Sequence, residues 1–241
     1  LETVRQTVNL LTRLRADDSN DEYDPAYMME KQRARWLRRV IGGLEPTAEE
    51  SQHTTHIAVI DQYGNIVSTT NTLGNGWGCK FMAPGLGFFY NSHIGNLDHE
   101  NPDSPDYVMP GKRVRSTISP SLVLQDGNPI MAVGSPGSLA IPPAVATIIN
   151  NVLLYGMNVQ QAINEPRAMA INRSGMDSPA RVSIEQPRFD PDLVAQMEGI
   201  GYEMKDVGEY NMAVGGIAAI YLDRDNGIFY AGADPRRGYK A

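Results

Sequence analysis

The chain has 241 residues, 41% hydrophobic and 20% charged, enough for one large domain or two small ones around a buried core. Its 21 Lys and Arg against 28 Asp and Glu leave a formal charge of −7, which argues against a nucleic-acid partner. A single cysteine, Cys79, rules out an internal disulfide and a thiolate zinc cage, and no apolar run reaches the ~18 residues of a membrane span.

Residues 1–53 hold only two of the 23 glycines, Gly42 and Gly43. Val4, Val8, Leu11 and Leu14 fall at helical spacing, and Met28, Trp36 and Val40 suggest a second helix that Gly42 and Gly43 end. A polar loop over 17–22 separates the two, and 45–52 reads as an exposed linker. The character then changes. Segments 56–61 and 65–70 read as short strands around Gly64, and a second hairpin joins 121–124 to 129–133 across Asp126-Gly127. A third joins 217–222 to 227–230 across Asn226-Gly227. The apolar stretch 144–155 is too long for a typical strand and predicts a buried helix with Pro142 and Pro143 at its start; 190–199 predicts another. Antiparallel hairpins with packed helices give an α+β class rather than alternating βαβ units.

Three segments carry candidate chemistry. Thr54, Thr55 and His56 lead directly into a strand. Threonine is a weak nucleophile unless a base takes its proton, and an N-terminal threonine supplies that base as its own α-amine, of unperturbed pKa near ~8. Catalysis by Thr54 therefore requires cleavage of the His53–Thr54 bond. By itself a Thr-Thr pair at a strand start is also ordinary, because β-branched residues belong in strands. The turn Gly134-Ser135-Pro136-Gly137-Ser138 can aim successive backbone N–H groups at one point as an oxyanion hole, or simply connect a strand to a helix. The run Lys112-Arg113-Val114-Arg115-Ser116-Thr117 combines cations with hydroxyls able to hold a carboxylate, although solvated loop charges are the default explanation. His53 and His56 are spaced as H-x-x-H but lack acidic or cysteine partners at ligand spacing, so no metal site is expected.

Taken in order, these segments resemble the small subunit of the γ-glutamyltransferase (γ-glutamyl transpeptidase) family. The resemblance begins at Thr54-Thr55-His56-Ile57-Ala58-Val59-Ile60-Asp61 with Gly64-Asn65, and continues through Thr72-Leu73, Pro110-Gly111-Lys112-Arg113 and Ser116-Thr117-Ile118-Ser119-Pro120. It runs on through Gly134-Ser135-Pro136-Gly137, Tyr155-Gly156-Met157-Asn158, Ala162-Ile163-Asn164-Glu165-Pro166-Arg167 and Gly232-Ala233-Asp234-Pro235-Arg236. Nearly all of residues 54–241 is covered.

The resemblance implies a four-layer αββα sandwich of the N-terminal-nucleophile hydrolase type, and a precursor that cuts itself before Thr54. Residues 1–53 would be the helical C-terminal tail of a large subunit plus linker, and 54–241 the catalytic small subunit, the two associating as a heterodimer. Thr54 would attack a γ-glutamyl amide, form an acyl-enzyme ester and pass the acyl group to water or an amine. No cofactor is implied. Thr72 corresponds to the threonine supporting the nucleophile, the amides of Gly137 and Ser138 to the oxyanion hole, and Ser116 and Thr117 to the paired hydroxyls that bind the substrate α-carboxylate. Many family members are exported.

Two departures bear on the substrate. Where the family commonly has Gln-Met-Asp-Asp-Phe, this chain has His93-Ile94-Gly95-Asn96-Leu97, so neutral Asn96 stands where an acid pairs with the substrate α-ammonium. Loss of such a charge-assisted hydrogen bond costs on the order of 1.5–3 kcal/mol of recognition. Gly74 stands where an asparagine usually helps hold the same end. The family's large subunit also contributes an arginine that residues 1–53 do not offer, so the expectation is that residues elsewhere complete the site. A small-molecule amide or peptide substrate follows, with amidohydrolysis of a different acyl group, or binding without catalysis, as alternatives.

Overall fold

A computed structural model describes residues 54–82, 84–170 and 181–237. The chain divides into two units, 1–49 and 50–241, and every described residue belongs to the second. The helices expected within 1–53 lie outside the described residues.

Strands β1 (Thr55–Ile60) and β2 (Ile66–Asn71) form an antiparallel ribbon whose register runs from Thr55 opposite Asn71 to Ile60 opposite Ile66. Its turn is closed by Asp61, whose carboxylate accepts from the amides of Tyr63 and Asn65. A four-stranded sheet has the order β3 (Ser121–Gln125), β4 (Asn128–Gly134), β8 (Ala218–Asp223), β9 (Ile228–Ala233), all neighbours antiparallel. Between β4 and β8 the chain forms α1 (Ile141–Leu153), α2 (Val159–Asn164), β5 (Ala168–Ala170), β6 (Arg181–Ile184), α3 (Pro191–Gly199) and β7 (Glu203–Asp206).

Central strand β4 is buried on both faces and so separates two layers. Met131 and Val133 join the main core with Ile141, Val145 and Ile148 of α1 and Val159 and Ile163 of α2. Burying each such side chain contributes roughly 1.5–3 kcal/mol. The alternate residues Ala132 and Gly134 face the other way, where Ser68 of β2 donates to the Val133 carbonyl (3.1 Å) and the His56 ring covers Gly134. Helices, sheet and ribbon thus stack as three successive layers among the described residues, within the α+β class expected.

Some elements differ from the expectation. Helix α1 has Pro142 and Pro143 in its first turn as expected, but it runs from Ile141 to Leu153 and so ends before Tyr155. Strands β5, β6 and β7 form a further three-stranded sheet in which β6 and β7 pair in parallel, joined through α3. That βαβ unit departs from the all-antiparallel reading; strands of three and four residues are too short to show periodicity. Helix α2 was also not expected, although Asn158 and Gln161 form a reciprocal capping box at its start.

Candidate active site

Thr54 lies just ahead of β1 and is only 7% exposed. Its hydroxyl donates to the Thr72 hydroxyl at 3.1 Å. The register explains the meeting: Thr55 faces Asn71, so the residues on either side, 54 and 72, are the next pair beyond the ladder. Thr72 Oγ1 also accepts from the Gly74 amide (3.0 Å), which fixes its rotamer. One turn of the pleat further, His56 is 3% exposed and its Nδ1 lies 2.8 Å from Thr70 Oγ1. Burial pushes its pKa down to about 4, so the ring is neutral at physiological pH.

The ribbon sits so that Ser68, the partner of Ala58, is over Val133, while His56 is over Gly134. Following β1 back from Ala58 to Thr54 therefore leads past the C-terminal end of β4, to the side of the turn 135–138. In that turn Gly137 has φ 137° and Ser138 φ 53°, both in the left-handed half of backbone space. Among the described residues neither the Gly137 nor the Ser138 amide donates to another group, although Gly137 is buried. Buried N–H groups are nearly always paired, so the unpaired amide of buried Gly137 stands out, with that of exposed Ser138 next to it.

A hydrogen-bonded path leads from Thr72 to the cationic segment. The Ser92 amide donates to the Leu73 carbonyl (2.8 Å), and Ser92 Oγ accepts from Asn75 (3.0 Å). A Cβ on Gly74, which has φ 85°, would stand 2.6 Å from Ser92 Oγ, so an asparagine there would require Ser92 to move. Ser92 begins the 3₁₀ turn His93–Asn96, and Asn96 Nδ2 donates to the Arg115 carbonyl at 3.0 Å. That contact ties Asn96 to the residue that precedes Ser116 and Thr117. The Ser116 hydroxyl accepts from the Ile118 amide (3.3 Å), and Arg115 pairs with Asp106 at 3.0 Å. Thr54 and Thr72 are in direct contact, and Asn96 is tied to Arg115, the residue before Ser116; the path between the two groups passes through Ser92.

Residues 3–241 match the sequence profile of gamma-glutamyltranspeptidase. The chain belongs to that family. The glutathione hydrolase proenzyme of Bacillus subtilis (strain 168) is 30% identical over 193 residues, covering 80% of this chain and 31% of the relative. The acylase ACY 1 proenzyme of Pseudomonas sp. (strain SE83) is 35% identical over 132 residues, covering 55% of this chain and 22% of its own length. The gamma-glutamyltranspeptidase T380A mutant of Helicobacter pylori superposes with a TM-score of 0.64 at 28% identity, over 76% of this chain and 99% of that one. The chain spans about a third or less of the curated relatives named here.

Among the described residues of this gamma-glutamyltranspeptidase-family chain, no group of three or more His, Cys, Asp or Glu side chains is arranged to hold a metal, and no helix is long and apolar enough to cross a membrane. A buried ionic cluster does exist: Arg167, Glu185, Asp234 and Arg236 are each at most 4% exposed. Arg167 Nη2 donates to Asp234 Oδ2 at 2.6 Å, and Arg236 Nε donates to Glu185 Oε1 at 2.7 Å. Burial acts to raise the Glu185 carboxyl, but Arg236 overcomes it and holds the group below the usual carboxylate range. Sequence reading assigned these four residues no role, although three of them fall in segments that carry the family resemblance. Ser92 was not singled out, because a lone serine in a loop carries no local signal, and Ser135 was named only as part of its turn, with no role for its hydroxyl.

Proposed function

We propose that this chain is the catalytic part of a self-processing enzyme of γ-glutamyltransferase type, with Thr54 as nucleophile after cleavage of the His53–Thr54 bond. Residues 1–53 would then be the tail of a large subunit and 54–241 the small subunit, held together as a heterodimer. The observation that carries this reading is the hydroxyl pair of buried Thr54 and half-buried Thr72 at the head of β1. Cleavage would free the Thr54 amine to accept the hydroxyl proton. Oγ1 would attack the amide carbonyl, and the C–N bond would break with that proton passing to the leaving amine. The resulting ester would be resolved by water or an acceptor amine. The amides of Gly137 and Ser138 would stabilise the oxyanion at both steps; each such donor lowers the barrier by roughly 3–4 kcal/mol. Thr72 would hold the nucleophile, while Ser116 and Thr117 would receive the substrate carboxylate.

One observation favours a donor unlike glutathione. Asn96 is neutral, and its Nδ2 is already engaged by the Arg115 carbonyl. An acyl amide without an α-ammonium group loses nothing at such a position, and an acylase is among the relatives.

Denaturing mass spectrometry of the full chain is expected to show a fragment beginning at Thr54, absent in Thr54→Ala. A γ-glutamyl electrophile should label that same fragment. A chain that stays intact and unlabelled would overturn the proposal.

A further inference from the structure

The turn that carries the two unpaired amides is supported from beneath by residues 214–217, which lie some 80 positions later in sequence. Gly215 packs directly against it: a Cβ on Gly137 would stand 3.0 Å from Gly215 Cα, and a Cβ on Gly215 would stand 3.0 Å from Ser135 Oγ. The Gly216 amide donates to Ser135 Oγ (3.0 Å) and to the Pro136 carbonyl (3.3 Å). Ser135 is fully buried, and its hydroxyl donates in turn to the Pro136 carbonyl. The backbone at Gly137 and Ser138 lies in a sparsely populated conformation, which persists only where the surroundings determine it.

The supporting segment is itself held by charge. Arg167 Nη1 donates to the carbonyls of Gly215 (3.2 Å) and Val214 (3.5 Å), while its Nη2 reaches Asp234 and the Ile163 carbonyl (2.9 Å). Asp234 Oδ2 accepts from the Ile217 amide at 2.8 Å, and its Oδ1 accepts from the Arg236 amide at 3.0 Å. The carbonyls of 214 and 215 and the amide of 217 are thus gripped by one buried ion pair.

We infer that Arg167 and Asp234 are positioning residues that set the oxyanion-binding amides of Gly137 and Ser138, acting through residues 214–217 and Ser135. This rests on the catalytic reading above. A purely structural ion pair would be felt in folding alone. A pair that aims the oxyanion donors is felt in the chemical step, because donors displaced by a fraction of an ångström still admit the planar ground state but lose the tetrahedral oxyanion.

The test uses the full chain, with the processed fraction measured by mass spectrometry and rates normalised to it. Asp234→Asn keeps the shape and the acceptor for Ile217 but weakens the grip on Arg167. It is expected to lower kcat on a γ-glutamyl anilide by about 10–100-fold, a fraction of the ~10²–10³ seen for outright loss of one oxyanion donor. KM should change less than about threefold, and affinity for a boronic acid that forms a tetrahedral adduct on Thr54 should fall in step with kcat. Ser135→Ala removes the hydroxyl link without disturbing a buried charge, and should reproduce the same kcat-selective pattern more weakly. It decides the matter if Asp234→Asn does not fold. Unchanged kcat and boronate affinity in folded variants, or equal changes in kcat and KM, overturn the inference. Wild-type protein that neither turns over nor is labelled at Thr54 overturns the catalytic reading instead.

Discussion

The imidazole of His56 occupies the space that a side chain on Gly134 would need, with ring atoms well inside van der Waals distance of such a Cβ. This contact couples β1, which Thr54 precedes, to β4, which leads into the turn 135–138. The absence of a side chain at 134 lets the ribbon approach β4 closely enough for Ser68 to reach the Val133 carbonyl.

Gly134→Ala is therefore expected to be costly although alanine is small and the position lies in a strand. Forcing even one methyl group into a packed core costs typically ~1–3 kcal/mol. Because His56 is two residues from Thr54, the displacement should also reduce processing. A thermal melt and the fraction of chain cleaved before Thr54 check both; an unchanged melting temperature contradicts the contact.

His56 makes stability depend on pH in a defined window. Its folded pKa, lowered by burial to about 4, lies below the unfolded value of 6.5, so between those limits the unfolded chain binds the extra proton. Stability is full above 6.5 and declines as pH falls toward 4, by on the order of 3 kcal/mol in all. Glu185 acts in the same direction at lower pH, since its carboxyl is held below its usual range in the folded state. Denaturant midpoints from pH 7 to 4 should fall in the wild type, and His56→Gln should flatten the part of the curve above the carboxylate range.

How much of this was legible in the sequence depends on what each element asks of its residues. The hairpins announce themselves because their turns need positive φ, and Gly64, Gly127 and Gly227 supply it at 83°, 78° and 66°. Asp126 joins them at 51°, as an Asp-Gly turn requires. The length of the apolar run predicts α1. Arg181-Val182-Ser183-Ile184 predicts nothing, since four residues of mixed polarity become a strand only by pairing with 168–170 and 203–206. Of the site, Thr54 and Thr72 could be nominated through resemblance, whereas their contact depends on register. The grip of Arg167 on 214–217 joins residues nearly fifty positions apart, and no local pattern carries it.

In the proposed mechanism, substitution of Thr72 separates support of the nucleophile from binding of substrate. Under the proposed mechanism Thr72→Ala leaves Thr54 Oγ1 without its partner while Ser116 and Thr117 stay in place. A fall of about 100-fold in kcat with little change in KM is expected, at the lower end of what a positioned proton-transfer or orienting group supplies. Thr72→Ser, which keeps the hydroxyl, should recover most of it. Equal loss in both variants would assign Thr72 to packing instead.

Asn96 should behave in the opposite way. Its amide anchors the Arg115 carbonyl next to the hydroxyls of Ser116 and Thr117, and it touches neither Thr54 nor Thr72. Asn96→Ala removes one exposed hydrogen bond, worth ~0.5–1.5 kcal/mol, and loosens the segment proposed to receive the substrate carboxylate. KM for a carboxylate-bearing donor is expected to rise about 3–10-fold with kcat nearly constant, the pattern of lost uniform binding. A donor that lacks the carboxylate should be indifferent to the substitution. Steady-state kinetics on a matched pair of anilides, with and without the α-carboxylate, reads the difference directly. A kcat that falls for both donors would instead tie Asn96 to the reacting atoms and remove the division between the two ends of the site.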